Sequence, residues 1–295
     1  MGETDTNGLD SRIRSVDQLD GRPEIVHISD IHGYLDVATS ALTTVGEAEE
    51  YDPLVESDNE GTLCWAGNDY VVIFNGDLID RGPNNKECIE LVRRLQQEAP
   101  PGRVHYHVGN HEMAVLLPTV LGWRDTYSIT CSDSTRRRFL THILDGKITA
   151  AFRGYEYSYT HAGCNDHIHP AEINASLRKA ATTLLEQADA SHQSGLQSRV
   201  MRRHPDLFEL GEDGGRGPSA GIFWLDFQHL DPDAPPQIVG HTKRTRPVRD
   251  GNVVCGNVLR MNRHTPGGEG VLVESQSGLE FVRRCADGSV TTTSI

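Results

Sequence analysis

Five short stretches of this 295-residue sequence close a run of apolar or β-branched residues with side chains able to hold a cation or move a proton. EIVHIS leads into Asp30-Ile31-His32. DYVVIF leads into Asn75-Gly76-Asp77, with Asp80 and Arg81 just beyond. RVHYHV leads into Gly109-Asn110-His111-Glu112, YEYSYT into His161-Ala162-Gly163, and PQIV into Gly240-His241-Thr242. A polar turn between a strand and a helix would explain one such stretch, but not five. Each run reads as a buried strand, and ligands in open sheets bind at the carboxyl ends of strands. The neighbouring glycines let the backbone turn sharply there. The five ends are therefore expected to converge on one crevice.

The residue types suit metal chemistry. Asp30, His32, Asp77, Asn110, His161 and His241 offer two carboxylates, three imidazoles and one amide oxygen. That mixture fits manganese, iron or zinc better than calcium or magnesium, which prefer all-oxygen shells. Six donors are too many for one tetrahedral zinc. They match two divalent ions that share one donor, with water completing the shells. A carboxylate has two oxygens and can bridge two cations, and Asp77 is the candidate bridge. Two ions roughly 4 Å apart can clamp both the attacking and the transferred oxygens of an in-line phosphoryl displacement. Manganese is the first expectation, with iron, zinc or cobalt as alternatives.

With these motifs the sequence resembles the calcineurin-like metallophosphoesterases, and among them the phosphoprotein phosphatases. Their signatures D-x-H, G-D-x-x-D-R-G and G-N-H-E stand here as Asp30–His32, Gly76–Gly82 and Gly109–Glu112, and the two later histidine motifs follow as His161-Ala-Gly and Gly-His241-Thr. The likeness spans roughly residues 24–245, and DRGPNNKECIELV is also similar to small bacterial and phage members.

The resemblance implies an α/β fold, a four-layer α/β/β/α sandwich of two mixed sheets flanked by helices. It implies that Asp30, His32 and Asp77 hold the first metal, and that Asp77, Asn110, His161 and His241 hold the second. A hydroxide bridging the metals would attack phosphorus directly. His111 would be the general acid for the leaving alkoxide. Asp80 would orient His111 and favour its imidazolium form, and Arg81 would fork onto two phosphate oxygens. The sequence departs from the family at one point. No arginine stands between Trp224 and His241, where a second phosphate-binding arginine is usual, and Arg216 in the glycine-rich loop is the candidate replacement.

The elements that must position these residues follow from periodicity. Strands are expected at 24–29, 69–74, 103–108, 155–160, 236–240, 251–258, 269–275 and 279–284. Helices are expected over 34–50, after Pro83, across much of 112–150 with a break near Pro118, and over 170–190. His105 and His107 read as one half-exposed strand face. Residues 1–20 and 286–295 read as tails around a catalytic domain at 21–285.

Composition narrows the classes. The formal net charge is −14, which disfavours non-specific binding to nucleic acid. No apolar run is long enough to span a bilayer, and the N-terminal segment has no apolar stretch of a secretory leader. Six cysteines without a C-x-x-C pair read as free thiols in a reducing cytoplasm. The expected activity is hydrolysis of phosphomonoesters, phosphoserine or phosphothreonine in proteins first, without a nucleic-acid or membrane partner. Dinucleoside polyphosphate hydrolysis is the alternative. Bacterial enzymes of that kind often lack the aspartate found here at Asp80. A nuclease would usually carry G-H-x-H, whereas Lys243 stands in the place of its last histidine. A non-catalytic scaffold would be expected to have lost ligands.

Overall fold

In the computed structural model, which describes residues 13–186, 193–212 and 217–295, Tyr70–Phe74 is buried at all five positions. A continuous apolar run of this kind can only sit inside a sheet covered on both faces. Along the chain the elements are β1 (Glu24–Ile28), α1 (Leu35–Glu47), β2 (Val55–Ser57), β3 (Leu63–Trp65), β4 (Tyr70–Phe74), α2 (Asn85–Glu98) and β5 (Val104–His107). Next come α3 (Asn110–Leu116), α4 (Tyr127–Thr130), α5 (Asp133–Leu144), β6 (Ile148–Thr149), β7 (Phe152–Arg153), β8 (Ser158–Tyr159), α6 (Pro170–Glu186), α7 (Gln193–Arg203) and α8 (Pro205–Phe208). The chain closes with β9 (Gln237–Val239), β10 (Val248–Asp250), β11 (Val253–Cys255), α9 (Leu259–Asn262), β12 (Gly270–Ser275), β13 (Gly278–Arg284) and β14 (Val290–Ser294).

The strands form two large mixed sheets and a small β2–β3 hairpin. One sheet runs β14-β13-β12-β1-β4-β5-β6 and the other β10-β11-β9-β8-β7. Strands β1, β4, β5 and β6 are mutually parallel, as are β8, β9 and β11. The five motif-bearing strands, β1, β4, β5, β8 and β9, all belong to these parallel groups.

The sheets face each other through polar as well as apolar contacts. Asn75 Nδ2 donates to Thr160 O at 2.8 Å. Glu274 on β12 accepts from Tyr159 Oη on β8 at 2.6 Å and from the amides of Glu156 and Tyr157. Helix α1 packs its Val37, Ala38, Ala41, Leu42 and Val45 face on β12 and β13, and α2 packs Cys88, Leu91, Val92 and Leu95 toward β3 and β5. Each such side chain removed from water contributes roughly 1.5–3 kcal/mol.

Several expectations need correction. The 286–295 segment is not a tail: Val290–Ser294 pairs antiparallel with β13, its β-branched run suiting an edge strand. At the other end, Ser15 bridges to Arg153 and Val16 is buried, so the fold begins before residue 20. His105 and His107 are both buried, because β5 is covered on both faces. The β2–β3 hairpin was not expected, since its acid-rich sequence buries only Val55 and Leu63. All six cysteines are free. Among the described residues, no helix is long and apolar enough to cross a membrane.

Candidate metal and phosphoester site

The backbone departs from ordinary geometry where the motifs meet. Seven non-glycine residues have positive φ among the described residues, and six of them are Asp30, His32, Asp77, Asp80, Arg81 and His241. The left-handed region is costly for residues with a Cβ, on the order of 1–3 kcal/mol each where the surroundings impose it. Here the strand-end loops are tied to one another. Asp30 N donates to Gly76 O, His32 N to Asp77 O and Gly82 N to His32 O, at 2.7–3.0 Å.

Glu112, to which the sequence pattern assigns no role, fastens the loops from below. Its carboxylate accepts from Asp77 N at 2.8 Å, Leu78 N at 3.0 Å, Gly109 N at 2.9 Å and Tyr106 Oη at 2.9 Å. It sits in the first turn of α3 and reaches back to the residue before the helix, as a capping glutamate does. The signal that could have found it was its place three residues after Gly109.

The expected metal ligands come together. His32 Nε2 lies 3.5 Å from Asp77 Oδ2 and 3.8 Å from Asp30 Oδ1. His161 Nε2 lies 3.6 Å from Asp77 Oδ1 and 3.2 Å from Asn110 Oδ1, and His241 Nδ1 is 3.1 Å from that same amide oxygen. Among the described residues, two groups of three histidines and acids cluster closely enough to share an ion: His32, Asp77 and His111, and Asp30, Asp77 and His161. Asp77 stands in both. Asp30, 3.8 Å from His32 Nε2, stands beside both groups, and His111 joins His32.

Hydrogen bonding shows whether a cation fits. His32 Nδ1 faces Ile79 O at 3.1 Å, and His161 Nδ1 faces Asn75 O at 2.8 Å. A carbonyl can only accept, so each Nδ1 carries a proton, and in the neutral ring Nε2 presents a lone pair. Those lone pairs point at carboxylate and amide oxygens, which are acceptors too. Acceptors gathered around a buried point leave room for a cation and for little else. Burial pushes the carboxyls of Asp30 and Asp77 up to about 7 when no cation offsets their charge. Gly109 and Gly240 keep the space open: a Cβ would come within 2.3 Å of Asp77 Oδ1 at the first and 2.5 Å of Asp30 Oδ2 at the second.

His111 lies at the edge of this group. Its Nδ1 is 2.5 Å from Asp80 Oδ2, while its Nε2 is 4.0 Å from Asp77 Oδ2. Asp80 is held in turn by Ser128, through N at 2.9 Å and Oγ at 2.7 Å. Burial works against charge on His111, but Asp77 and then the Asp80 hydrogen bond overcome it and raise its pKa. Burial likewise opposes charge on Asp80, and the hydrogen bonds from His111 and Ser128 hold it below its ordinary value. Trp123 flanks the His111 ring at 4.8 Å between centroids, and Trp224 stands 5.9 Å from Trp123 and 6.3 Å from His241.

Arg81 is exposed beside this group. Arg216 lies outside the described residues. Arg260, which the sequence reading leaves without a role, is half-buried on α9. It is close enough to help depress His32, after burial and His111. His167 and His169 are exposed.

Comparison with known proteins bears on the family and the fold. A family model described as calcineurin-like phosphoesterase matches residues 23–242. A probable serine/threonine-protein phosphatase of Encephalitozoon cuniculi is 43% identical over 75 residues, which are 24% of this chain and 16% of that protein. The match thus spans about a sixth of that relative's length. Among solved structures, a cold-active protein-tyrosine phosphatase of a psychrophilic Shewanella species superposes with a TM-score of 0.60 at 20% identity, over 98% of this chain and 84% of that one. A point mutant of a cold-active protein tyrosine phosphatase gives 0.61 at 20% identity, over 99% and 85%. At that identity the likeness is one of fold.

Proposed function

Because the chain belongs to the calcineurin-like phosphoesterase family, we propose that it is a metal-dependent phosphomonoesterase acting on phosphoserine or phosphothreonine in proteins. The observation that carries this reading is the convergence of buried acceptors on Asp77, with His111 held against Asp80 beside them. Asp30, His32, Asp77, Asn110, His161 and His241 would hold two divalent ions, manganese first. Such ions supply Lewis acidity, which activates water and neutralises phosphoryl charge.

The chain's own residues do the rest. Arg81, exposed at the site with its fork of donors, binds phosphoryl oxygens. His111 points Nε2 into the crevice while Asp80 holds Nδ1, so the proton leaves from Nε2. As the ester P–O bond breaks, that proton passes to the leaving oxygen, and His111 later regains one from solvent. Trp123 beside His111 and Trp224 beside His241 keep one side of the site apolar.

Phosphotyrosine is a second reading, favoured by that Trp123–Trp224 wall, which could receive an aryl ring. Two of the solved structures with this fold are likewise described as protein tyrosine phosphatases. Manganese-reconstituted protein should be given phosphoserine, phosphothreonine and phosphotyrosine peptides, and diadenosine tetraphosphate, at equal concentration. Faster release of phosphate from the first two peptides is expected. Faster turnover of the phosphotyrosine peptide would move the assignment to the second reading, and faster release of nucleotides would overturn both.

A further inference from the structure

Arg260 occupies a place where an arginine without a partner is expensive. Strand β11 runs parallel to β9, with Cys255 opposite Val239, so both strands open at the same edge. Past that edge Gly256 N donates to Val239 O at 2.8 Å, and Arg244 N to Asn257 O at 2.8 Å. The 256–258 segment is thereby laid against the strand end that carries His241, and α9 starts there. On the other side, Arg263 sets its guanidinium 5.3 Å over the Tyr34 ring, two residues past His32. Arg260 thus lies between the His241 strand end and the His32 loop.

Its surroundings are charged. Burial disfavours its positive form, and Arg81 is the next largest influence and also unfavourable, while Asp30 and Asp77 favour it. Both carboxylates point at the proposed ions. Among the described residues the Arg260 guanidinium forms no ion pair and no hydrogen bond, while its backbone carbonyl accepts from Arg263. Arg81 likewise forms none and is exposed beside it. Two guanidiniums that repel each other across one crevice are both relieved by a dianion placed between them.

We propose that Arg260 is a second phosphate-anchoring residue, which grips the phosphoryl group together with Arg81 and selects doubly charged monoesters over singly charged diesters. The proposal rests on the phosphomonoesterase reading. It supplies the arginine missing between Trp224 and His241 from an element later in the chain.

The test uses the full manganese-loaded chain with Arg260→Ala, Arg260→Lys and Arg81→Ala. Orthophosphate affinity is measured by calorimetry, metal content by elemental analysis, folding by circular dichroism, and kcat/KM with p-nitrophenyl phosphate and bis-p-nitrophenyl phosphate. Arg260→Ala should weaken orthophosphate about 10- to 100-fold, the usual worth of a hydrogen bond to a charged group. The monoester-to-diester ratio should fall, and metal content should stay at the wild-type value. Arg260→Lys, the variant least disturbing to α9, should keep part of the affinity through charge without the fork. Orthophosphate affinity within twofold of wild type in both Arg260 variants, with a loss in Arg81→Ala, would overturn this proposal alone. So would loss of metal with orthophosphate affinity intact, since Arg260 would then only offset the ligand carboxylates. Wild-type protein that binds no orthophosphate would overturn the underlying reading as well.

Discussion

His27, His105 and His107 sit within β1 and β5, whereas His32, His161 and His241 sit just past the ends of β1, β8 and β9. All but His241 are nearly or fully inaccessible to solvent. Asn75 meets both sets. Its side-chain amide donates to His27 Nε2 at 3.1 Å and accepts from His107 Nδ1 at 2.8 Å, while its backbone carbonyl accepts from His161 Nδ1. Among the described residues the strand-body imidazoles face no carboxylate, so burial leaves them neutral. The pKa of His27 falls to about 3 and that of His105 to about 4. His32 and His161 each spend one ring nitrogen on the scaffold and turn the other toward acids, and His241 turns Nδ1 to the Asn110 amide oxygen. Burial is shared, and only what the second nitrogen faces separates a packing histidine from a functional one.

The sharpest way to break this contrast is to remove the acid around which the strand-end set is gathered. Asp77→Asn should lose several kcal/mol of transition-state stabilisation, on the order of 10³-fold in turnover, and bind neither metal stoichiometrically. Elemental analysis alongside a phosphate-release assay checks it. One metal retained with turnover intact would remove Asp77 from the bridging place. His111→Ala tests the edge of the same group. With the metal content unchanged, kcat on alkyl phosphates should fall about 10²–10⁴-fold. Aryl phosphates should suffer less, because phenolate needs less help to leave. Equal losses on the two substrates would argue against proton donation.

The contrast also shows what the sequence could convey. Asp30, His32, Asp77, Asn110, His161 and His241 were legible because each follows an apolar run whose period marks a buried strand, and chain order alone brought them to one edge. His105 and His107 were misread as half-exposed because a period of two says which face a residue shares, not whether that face is covered. The spacing of Glu112 from Gly109 marks it as a helix cap, but no spacing records its hold on the Asp77 and Leu78 amides of another loop. Arg260 escaped for a related reason: it reaches the crevice from α9, after the last motif, through the parallel pairing of β11 with β9. The closing strand β14 was missed because a threonine-rich edge strand buries too little to show a hydrophobic pattern.

On the strand-body side, His105→Phe should leave turnover unchanged and alter the response to acid. The folded pKa of His105 is about 4 against an ordinary value near 6.5. A depressed histidine contributes its stability above the unfolded value and loses it as pH falls through that window. Wild-type stability should therefore decline between pH 6.5 and 4, with His105 accounting for up to about 3 kcal/mol of the loss. Phenylalanine keeps the ring stacked on Phe152, 4.2 Å away, but gives up the bond from Nε2 to Gly102 O. The variant should start lower in denaturant midpoint at pH 7.5 and fall less steeply with acid. Parallel slopes for variant and wild type would remove His105 from the acid response.

The smallest expected effect concerns the one histidine that combines both behaviours, buried yet raised in pKa. In Asp80→Asn the amide oxygen can still accept from His111 Nδ1, so the ring keeps its place, but the carboxylate charge that favours imidazolium is gone. Donation needs the protonated form, so activity is lost as pH rises through the His111 pKa. Lowering that pKa moves the alkaline limb of the kcat profile to lower pH. Well below both values His111 is protonated in each protein and keeps its Nδ1 hydrogen bond, and the rates should lie within about tenfold of each other, the net worth of one ordinary hydrogen bond. A bound cation also pushes the pKa of this ring down, so the limb should lie at lower pH in protein fully loaded with manganese, in wild type and variant alike. An alkaline limb that stays in place in Asp80→Asn would mean that the group titrating there is not His111, and the contrast between the two sets of histidines would then rest on the metal ligands alone.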